Sequence, residues 1–256
     1  MKSILIGSTG FVGSNLRSQI EISEYASSKN IYQYKDVKFD LGYIAAGDAR
    51  KWIANQSYTK DKEHIDILYK DISNIKIDTI IHFSTVDVYQ NKFGYENPSI
   101  NDISQEPYGN NRFYLEEKLR DICPNYYLIR LPGLFGPGLK KNIIYDINVG
   151  KDISNFNLNS SFQWFDLLDL KNIIDFVLNN NIRELNVCSE PLTVYELLDL
   201  KKIPKGACLT NNTNLVSYNI KSRYSKKFSG HDSYLYTKLE IIRKLLYFYE
   251  RNKVKK

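Results

Sequence analysis

The chain is poor in cysteine, proline, methionine and tryptophan, with 3, 7, 1 and 2 of each among 256 residues. The three cysteines, Cys123, Cys188 and Cys208, stand in no metal-ligand or redox spacing, which excludes a disulfide framework and a cysteine metal site and suits a reducing compartment. No apolar run approaches the roughly 18–20 residues of a membrane span. The N-terminus passes from Lys2 into a strand-like run with no signal-peptide core. These absences predict a cytoplasmic protein with no membrane partner. Acidic residues are scarce near the end. Residues 201–256 hold 3 acidic against 14 basic side chains, a net +11, whereas residues 1–200 hold 26 against 21, a net −5. A basic segment of this kind calls for an anion: nucleic acid, a membrane surface or a phosphorylated small molecule.

What is present is ordinary globular material, 43% hydrophobic and 25% charged, of a length that fits one domain over 1–256. Apolar runs at 3–6, 22–26, 39–46, 78–85 and 125–131 read as strands, and 13–20, 59–75 and 108–123 as helices. The runs at 77–83 and 126–131 are apolar without alternation, as strands buried on both faces must be. Strands interleaved with helices predict an α/β, Rossmann-like doubly wound parallel sheet. Past residue 132 the pattern loosens into helices at 169–178, 193–200 and 234–251 and a strand at 184–188, with 204–232 irregular and a polar loop earlier at 91–106.

The first strand runs into Gly7-Ser8-Thr9-Gly10-Phe11-Val12-Gly13. Three glycines so spaced, between a strand and a helix, fit a dinucleotide turn. Gly7 makes the tight turn, Gly10 admits a pyrophosphate to the backbone, and Gly13 lets the helix sit on the strand. At the end of the second strand an NAD site usually carries Asp or Glu. Here stand Ala26-Ser27-Ser28-Lys29, two hydroxyls and a cation, which suit the 2′-phosphate of NADP better than the ribose diol of NAD.

Two further segments carry chemistry: Phe83-Ser84-Thr85-Val86-Asp87-Val88-Tyr89, and Pro107-Tyr108-Gly109-Asn110-Asn111-Arg112 followed by Phe113-Tyr114-Leu115-Glu116. With the glycine turn, Ala45-Ala46-Gly47 and Arg130-Leu131-Pro132-Gly133-Leu134-Phe135-Gly136-Pro137-Gly138, the first 145 residues or so resemble one family. It is the extended short-chain dehydrogenase/reductase family, the NAD(P)-dependent epimerase/dehydratase group. Its patterns are S-[ST]-x-x-V-Y and Y-G-x-[SN]-K-x-x-x-E. The resemblance implies Thr85 as hydroxyl donor and Tyr108 as acid/base, with Ala45, Ala46, Gly47, Leu131, Pro132 and Gly133 near the cofactor. It puts Arg112 where the family has Lys. Arginine supplies the cation and can donate to a ribose hydroxyl, but it stays protonated and relays no proton. An intact YxxxK pair, Tyr114 and Lys118, competes on the same helix. At 100° per residue it lies about 120° and 80° off the line of Tyr108, Arg112, Leu115, Leu119 and Ile122. This phase favours Tyr108 and Arg112. The family's central-helix Asn corresponds best to His64, which is expected to be exposed or packed.

The resemblance further implies hydride transfer at a sugar carbon of a nucleotide sugar, by an epimerase (an isomerase) or a ketoreductase (an oxidoreductase), as in surface polysaccharide synthesis. Dehydration, which takes an Asp-Glu pair after the Thr, is disfavoured because Val86 precedes Asp87. A small C-terminal substrate lobe is expected from about 132–165 and 190–232. Its candidate contacts are Lys140, Lys141, Phe162 and Trp164 besides Asp87, with Arg223, Lys226 and Lys227 for a diphosphate. The family implies a homodimer and no metal. The other reading is a non-catalytic NADP-binding regulatory protein. A nucleic-acid partner is not expected, because the basic terminal helix has an apolar face and no recognised motif accompanies it.

Overall fold

The computed structural model describes residues 1–48, 50–203 and 214–252. Cys208, the 204–213 part of the expected lobe and the last basic residues, 253–256, lie outside them. In chain order the elements begin β1 (Ser3–Ile6), α1 (Phe11–Arg17), β2 (Glu24–Ala26), β3 (Lys38–Ile44), α2 (Lys51–Gln56), α3 (Tyr58–Ser73) and β4 (Lys76–Thr85). Next come β5 (Phe93–Gly94), α4 (Pro107–Ile122), β6 (Asn125–Leu131), β7 (Gly133–Phe135), α5 (Ile143–Val149), β8 (Ser161–Phe162) and β9 (Trp164–Asp166). Last are α6 (Leu170–Asn179), β10 (Glu184–Asn186), β11 (Leu192–Thr193), α7 (Val194–Leu200), β12 (Asn219–Ile220), α8 (Ser225–Ser229) and α9 (Lys238–Arg251).

Six strands form one parallel sheet in the order β2-β1-β3-β4-β6-β10. Residue alternation sorts their side chains to two faces. Ile4, Ile6, Ile44, Ile80 and Leu128 pack with Ile65 and Ile72 of α3 and Leu115 and Leu119 of α4. Leu5, Tyr43, Ile81, Phe83 and Ile129 meet Leu16 of α1, Ile173 and Val177 of α6 and Leu245 of α9 on the other face. Covered on both sides, the strands need the unbroken apolar runs that mark them in the sequence.

The chain leaves β1 for β2 on one side and returns to β3 on the other, so the strand order reverses between β1 and β3. Ligands of open α/β sheets bind at this kind of switch point, outside the carboxyl ends of the strands. The order is that of a 2-1-3-4-5 doubly wound sheet with one more strand, not the 3-2-1-4-5-6 order of the larger dinucleotide fold. The return from β2 is short and carries a single 3-10 turn, Ile31–Tyr34, which leaves β2 at the sheet edge.

Sequence and structure differ mainly at boundaries. The helix expected over 59–75 is preceded by a separate one, α2, split off at Ser57, whose extended backbone caps α3. The terminal helix starts at Lys238 instead of 234, because Thr237 and Glu240 form a capping box and Tyr236 is bridged to Ser189. The irregular 204–232 stretch contains β12 and α8 among its described residues. Three two-stranded pieces, β5 with β12, β7 with β9, and β8 with β11, sit beyond the sheet. Buried Gln163 ties them: its Nε2 donates to the carbonyls of Ser189 (2.6 Å) and Ile220 (2.8 Å), and its Oε1 accepts from the Ile220 amide (2.7 Å).

Candidate active site

The glycine turn lies at the switch point. Gly7 has φ +89°, and a Cβ there would stand 2.4 Å from the carbonyl oxygen of Ala45, at the end of β3. A Cβ on Gly13 would stand 2.2 Å from the carbonyl oxygen of Gly7. Both positions are therefore closed to side chains by the protein itself. Gly10 is different: its φ is negative, and its Cβ would meet only Gly7 O at 3.3 Å and Ala45 O at 3.7 Å. A methyl group there would need the Gly7 carbonyl to give by a few tenths of an ångström, so the protein closes this position less firmly than the other two. Gly10 and Thr9 are exposed, Phe11 and Val12 half-buried, and Ser8 buried with its amide on the Ala26 carbonyl (3.1 Å).

At the end of β2, Ser27 is occupied. Its amide and hydroxyl donate to Asn30 Oδ1 at 2.7 and 3.1 Å. These bonds make Ser27 part of the turn itself. Ser28 and Lys29 stay exposed. The nearby carboxylate, Glu24, accepts from the Tyr34 hydroxyl at 3.0 Å.

Helix α4 starts at Pro107, where the missing amide and fixed φ suit a first helical position. It is pinned to the sheet by a buried pair: Arg130 of β6 donates to Glu116 Oε2 at 2.6 Å, and Ser84 of β4 donates to Glu116 Oε1 at 2.5 Å. This bracket fixes the helix relative to Thr85 at the end of β4. Thr85 is half-buried, and its hydroxyl accepts from the Asp87 amide at 3.1 Å. Tyr108 is buried on α4, with its amide on Asn55 Oδ1 at 3.0 Å. Burial pushes its phenol above the ordinary value; Arg112 pulls the other way, and the Asp87 carboxylate adds to the rise.

Arg112 lies with its guanidinium carbon 4.5 Å from the Tyr108 ring centre. Its donors, which the resemblance directs at a ribose, are turned inward: Nη1 and Nη2 donate to the Asp61 carboxylate at 3.0 and 3.1 Å, and Nη2 to the Asp48 carbonyl at 2.6 Å. The residue of α3 that faces Arg112 is thus Asp61; His64 is exposed. Tyr114 and Lys118 face α3, where Lys62 lies 4.1 Å over the Tyr114 ring.

Asp87, expected to touch substrate, is half-buried and bonded to protein groups. Lys51 Nζ donates to its Oδ1 at 3.0 Å and Tyr218 OH at 2.7 Å, while Lys92 Nζ stands at 3.6 Å. Burial alone would raise the carboxyl; the two lysines and the Tyr218 hydroxyl outweigh it and hold it below its ordinary value. Lys51 also pairs with Glu106 at 3.3 Å. Lys51, Asp61, Lys92, Glu106 and Tyr218 were not singled out by the sequence reading. Asp61 had a signal, because it continues the Ile65–Leu68–Ile72 stripe, where a buried carboxylate needs a buried cation.

Phe162 lies 5.8 Å from the Tyr218 ring and 6.0 Å from Trp164, so it lines this cluster from β8. Trp164 itself is buried against Gly133. Leu131 and Pro132 are buried, and Leu131 pairs with Thr85 in the sheet register. Lys140 and Lys141 are exposed, and Lys141 acts on Asp48. Arg223, Lys226 and Lys227 are exposed, with Arg223 5.9 Å over the Tyr95 ring. Among the described residues no cluster of His, Cys, Asp and Glu is suited to a metal, and no helix is long and apolar enough to cross a membrane.

No protein-family model matches the chain, and no curated protein is similar to it at the level required. Solved structures do match. A dTDP-glucose 4,6-dehydratase double mutant from Streptomyces venezuelae, with NAD bound, superposes with a TM-score of 0.74 at 13% identity, covering 98% of each chain. The chain has their fold. A dTDP-4-dehydrorhamnose reductase from Clostridium acetobutylicum gives 0.72 at 14% identity, covering 98% of this chain and 99% of that one. A UDP-N-acetylglucosamine 4-epimerase from Bacillus cereus gives 0.67 at 17%, with the same coverage.

Proposed function

We propose that the chain is an NAD(P)-dependent enzyme of the extended short-chain dehydrogenase/reductase family that acts on a nucleotide sugar, as a ketoreductase in preference to an epimerase. The observation that carries this is the convergence of the glycine turn, the Ala45–Gly47 loop and the Tyr108 helix at one switch point: Gly7 touches Ala45, and Gly47 lies beside Arg112. The solved structures of this fold that hold NAD or a nucleotide sugar support it.

The dinucleotide fits the residues present. The turn at exposed Gly10 receives the pyrophosphate, and the exposed hydroxyl of Ser28 and cation of Lys29 suit the 2′-phosphate of NADP over NAD. When bound, the cofactor supplies the hydride. Tyr108 then has one task, to give its proton to the sugar carbonyl oxygen, with Thr85 donating a hydrogen bond to the same oxygen. Burial, which raises the phenol, suits that direction. An epimerase must first remove a hydroxyl proton, which takes the phenolate. Dehydration lacks an acid: Val86 is apolar, and Asp87 is held ionised by Lys51 and Lys92.

The β8, β9 and β12 pieces, which fall in or at the edge of 132–165 and 190–232, form the substrate lobe in this reading. In it Phe162 and Tyr218 would face the sugar, with Lys140, Lys141 and Arg223 as the candidate diphosphate contacts. A homodimer is in keeping with the exposed Ile67 on α3, and the enzyme works in the cytoplasm. The test is native mass spectrometry followed by turnover. The reading expects NADPH uptake, then consumption of one NADPH per keto-sugar nucleotide. Retained NAD with interconversion of two epimers would assign an epimerase. Cofactor binding with no turnover on any nucleotide sugar would assign the regulatory reading.

A further inference from the structure

Arg112 stands beside Tyr108, but its charge is answered from the other side. Asp61 receives both terminal nitrogens, Asn111 Nδ2 adds a third donor to Asp61 at 2.9 Å, and both ion-pair partners are buried, at 6% exposure each. A bidentate pair fixes the guanidinium plane as well as its position. That plane covers the Tyr108 ring. Asp61 therefore sets where the cation lies and how much of its field reaches the phenol, although it does not touch the phenol itself.

Resting on the reading of Tyr108 as proton donor, we propose that Asp61 is a positioning residue whose pair with Arg112, neutral as a unit, sets how much of the guanidinium charge reaches the Tyr108 phenol. The other groups around the phenol leave this control to Asp61. Asp87 follows β4, Lys51 comes from α2, Lys92 precedes β5, Glu106 precedes α4, and Tyr218 comes from the C-terminal segment. The two lysines are matched by Asp87 and Glu106. Removing the Asp61 carboxylate alone leaves one unmatched cation against the ring. A unit charge within about 10 Å in such surroundings moves a neighbouring group by on the order of one pH unit.

The experiment reads Tyr108 directly, without substrate. Protein labelled at tyrosine Cζ is titrated by NMR, with the Tyr108 signal identified by its loss in Tyr108→Phe. In the wild type and Asp61→Glu the signal stays that of a phenol up to pH 10. In Asp61→Asn, and in Asp61→Ser as a second variant, its midpoint falls by about one unit. Where turnover is measurable, the alkaline limb of kcat/KM moves down by the same amount, and Asp61→Glu restores it. An unchanged midpoint in folded Asp61→Asn or Asp61→Ser overturns the proposal. So does failure of both to fold while Asp61→Glu folds, which would make Asp61 a stability residue alone. Failure to find any substrate would count against the ketoreductase reading and leave the titration result standing.

Discussion

At the residue scale, the site separates into what local pattern announces and what only the fold assembles. Thr85 and Tyr108 stand in short motifs, and the phase of α4 chooses Tyr108 over Tyr114. The charged groups gathered around Tyr108 come from far along the chain. Asp61 meets Arg112 across 51 residues, Lys51 meets Asp87 across 36, and Tyr218 meets Asp87 across 131. No periodicity encodes a pairing at such separations. Ser27 shows the converse, a residue of the right type that its neighbour Asn30 already uses. Lys29 carries a prediction at this scale. Lys29→Asp replaces the cation with a carboxylate at the end of β2, so affinity for NADP should fall about tenfold or more while NAD affinity holds or improves. Fluorescence titration with each reduced cofactor reads the ratio; an unchanged ratio would place the 2′-phosphate elsewhere.

At the scale of elements, the glycine turn and the central strand lend themselves to paired tests. Gly13→Ala drives a methyl group into the Gly7 carbonyl and should cost several kcal/mol, with α1 displaced. Gly10→Ala should lower the melting temperature much less than Gly13→Ala and yet weaken dinucleotide binding, because it adds a methyl group at an exposed position of the turn. Thermal melts and cofactor titration of the two variants separate fold from function within one loop. On β4, buried His82 shares a 2.7 Å hydrogen bond with the Tyr126 hydroxyl. Burial first, then the nearby Arg130, Arg112 and Arg120, lower it from 6.5 to about 3. The unfolded chain binds that proton below pH 6.5 and the folded one does not. His82 therefore leaves stability intact above pH 6.5 and erodes it as the pH falls toward 3, at up to about 1.4 kcal/mol per pH unit. Urea denaturation between pH 7 and 4.5 should show this slope in the wild type and lose about one proton's worth of it in His82→Gln.

For the whole molecule, the sheet was legible because its strands are buried on both faces and so write continuous apolar runs. The split of α2 from α3, the short return from β2 and the strand pieces beyond residue 132 were not, since each depends on caps and side-chain bonds more than on period. The basic last fifth changes meaning at this scale. Lys238 pairs with Glu196 at 2.7 Å and Lys244 with Asp169 at 2.8 Å, so α9 brings part of the excess to acidic partners in the preceding chain. Arg223, Lys226 and Lys227 are exposed, as are Lys202, Arg243 and Arg251. Gln163 joins the strand pieces to each other. Gln163→Leu strands the Ile220 amide and two carbonyls, and should cost about 3 kcal/mol, seen as a melting temperature lower by roughly 6–12 °C.

The most direct test of the account is to follow NADPH oxidation in the presence of a keto-sugar nucleotide, with wild type and Tyr108→Phe side by side. The account predicts that both bind NADPH alike, that the wild type consumes it in step with the sugar, and that the variant is slower by about a hundredfold or more. A wild type that binds no dinucleotide, or a variant that turns over at the wild-type rate, would contradict it.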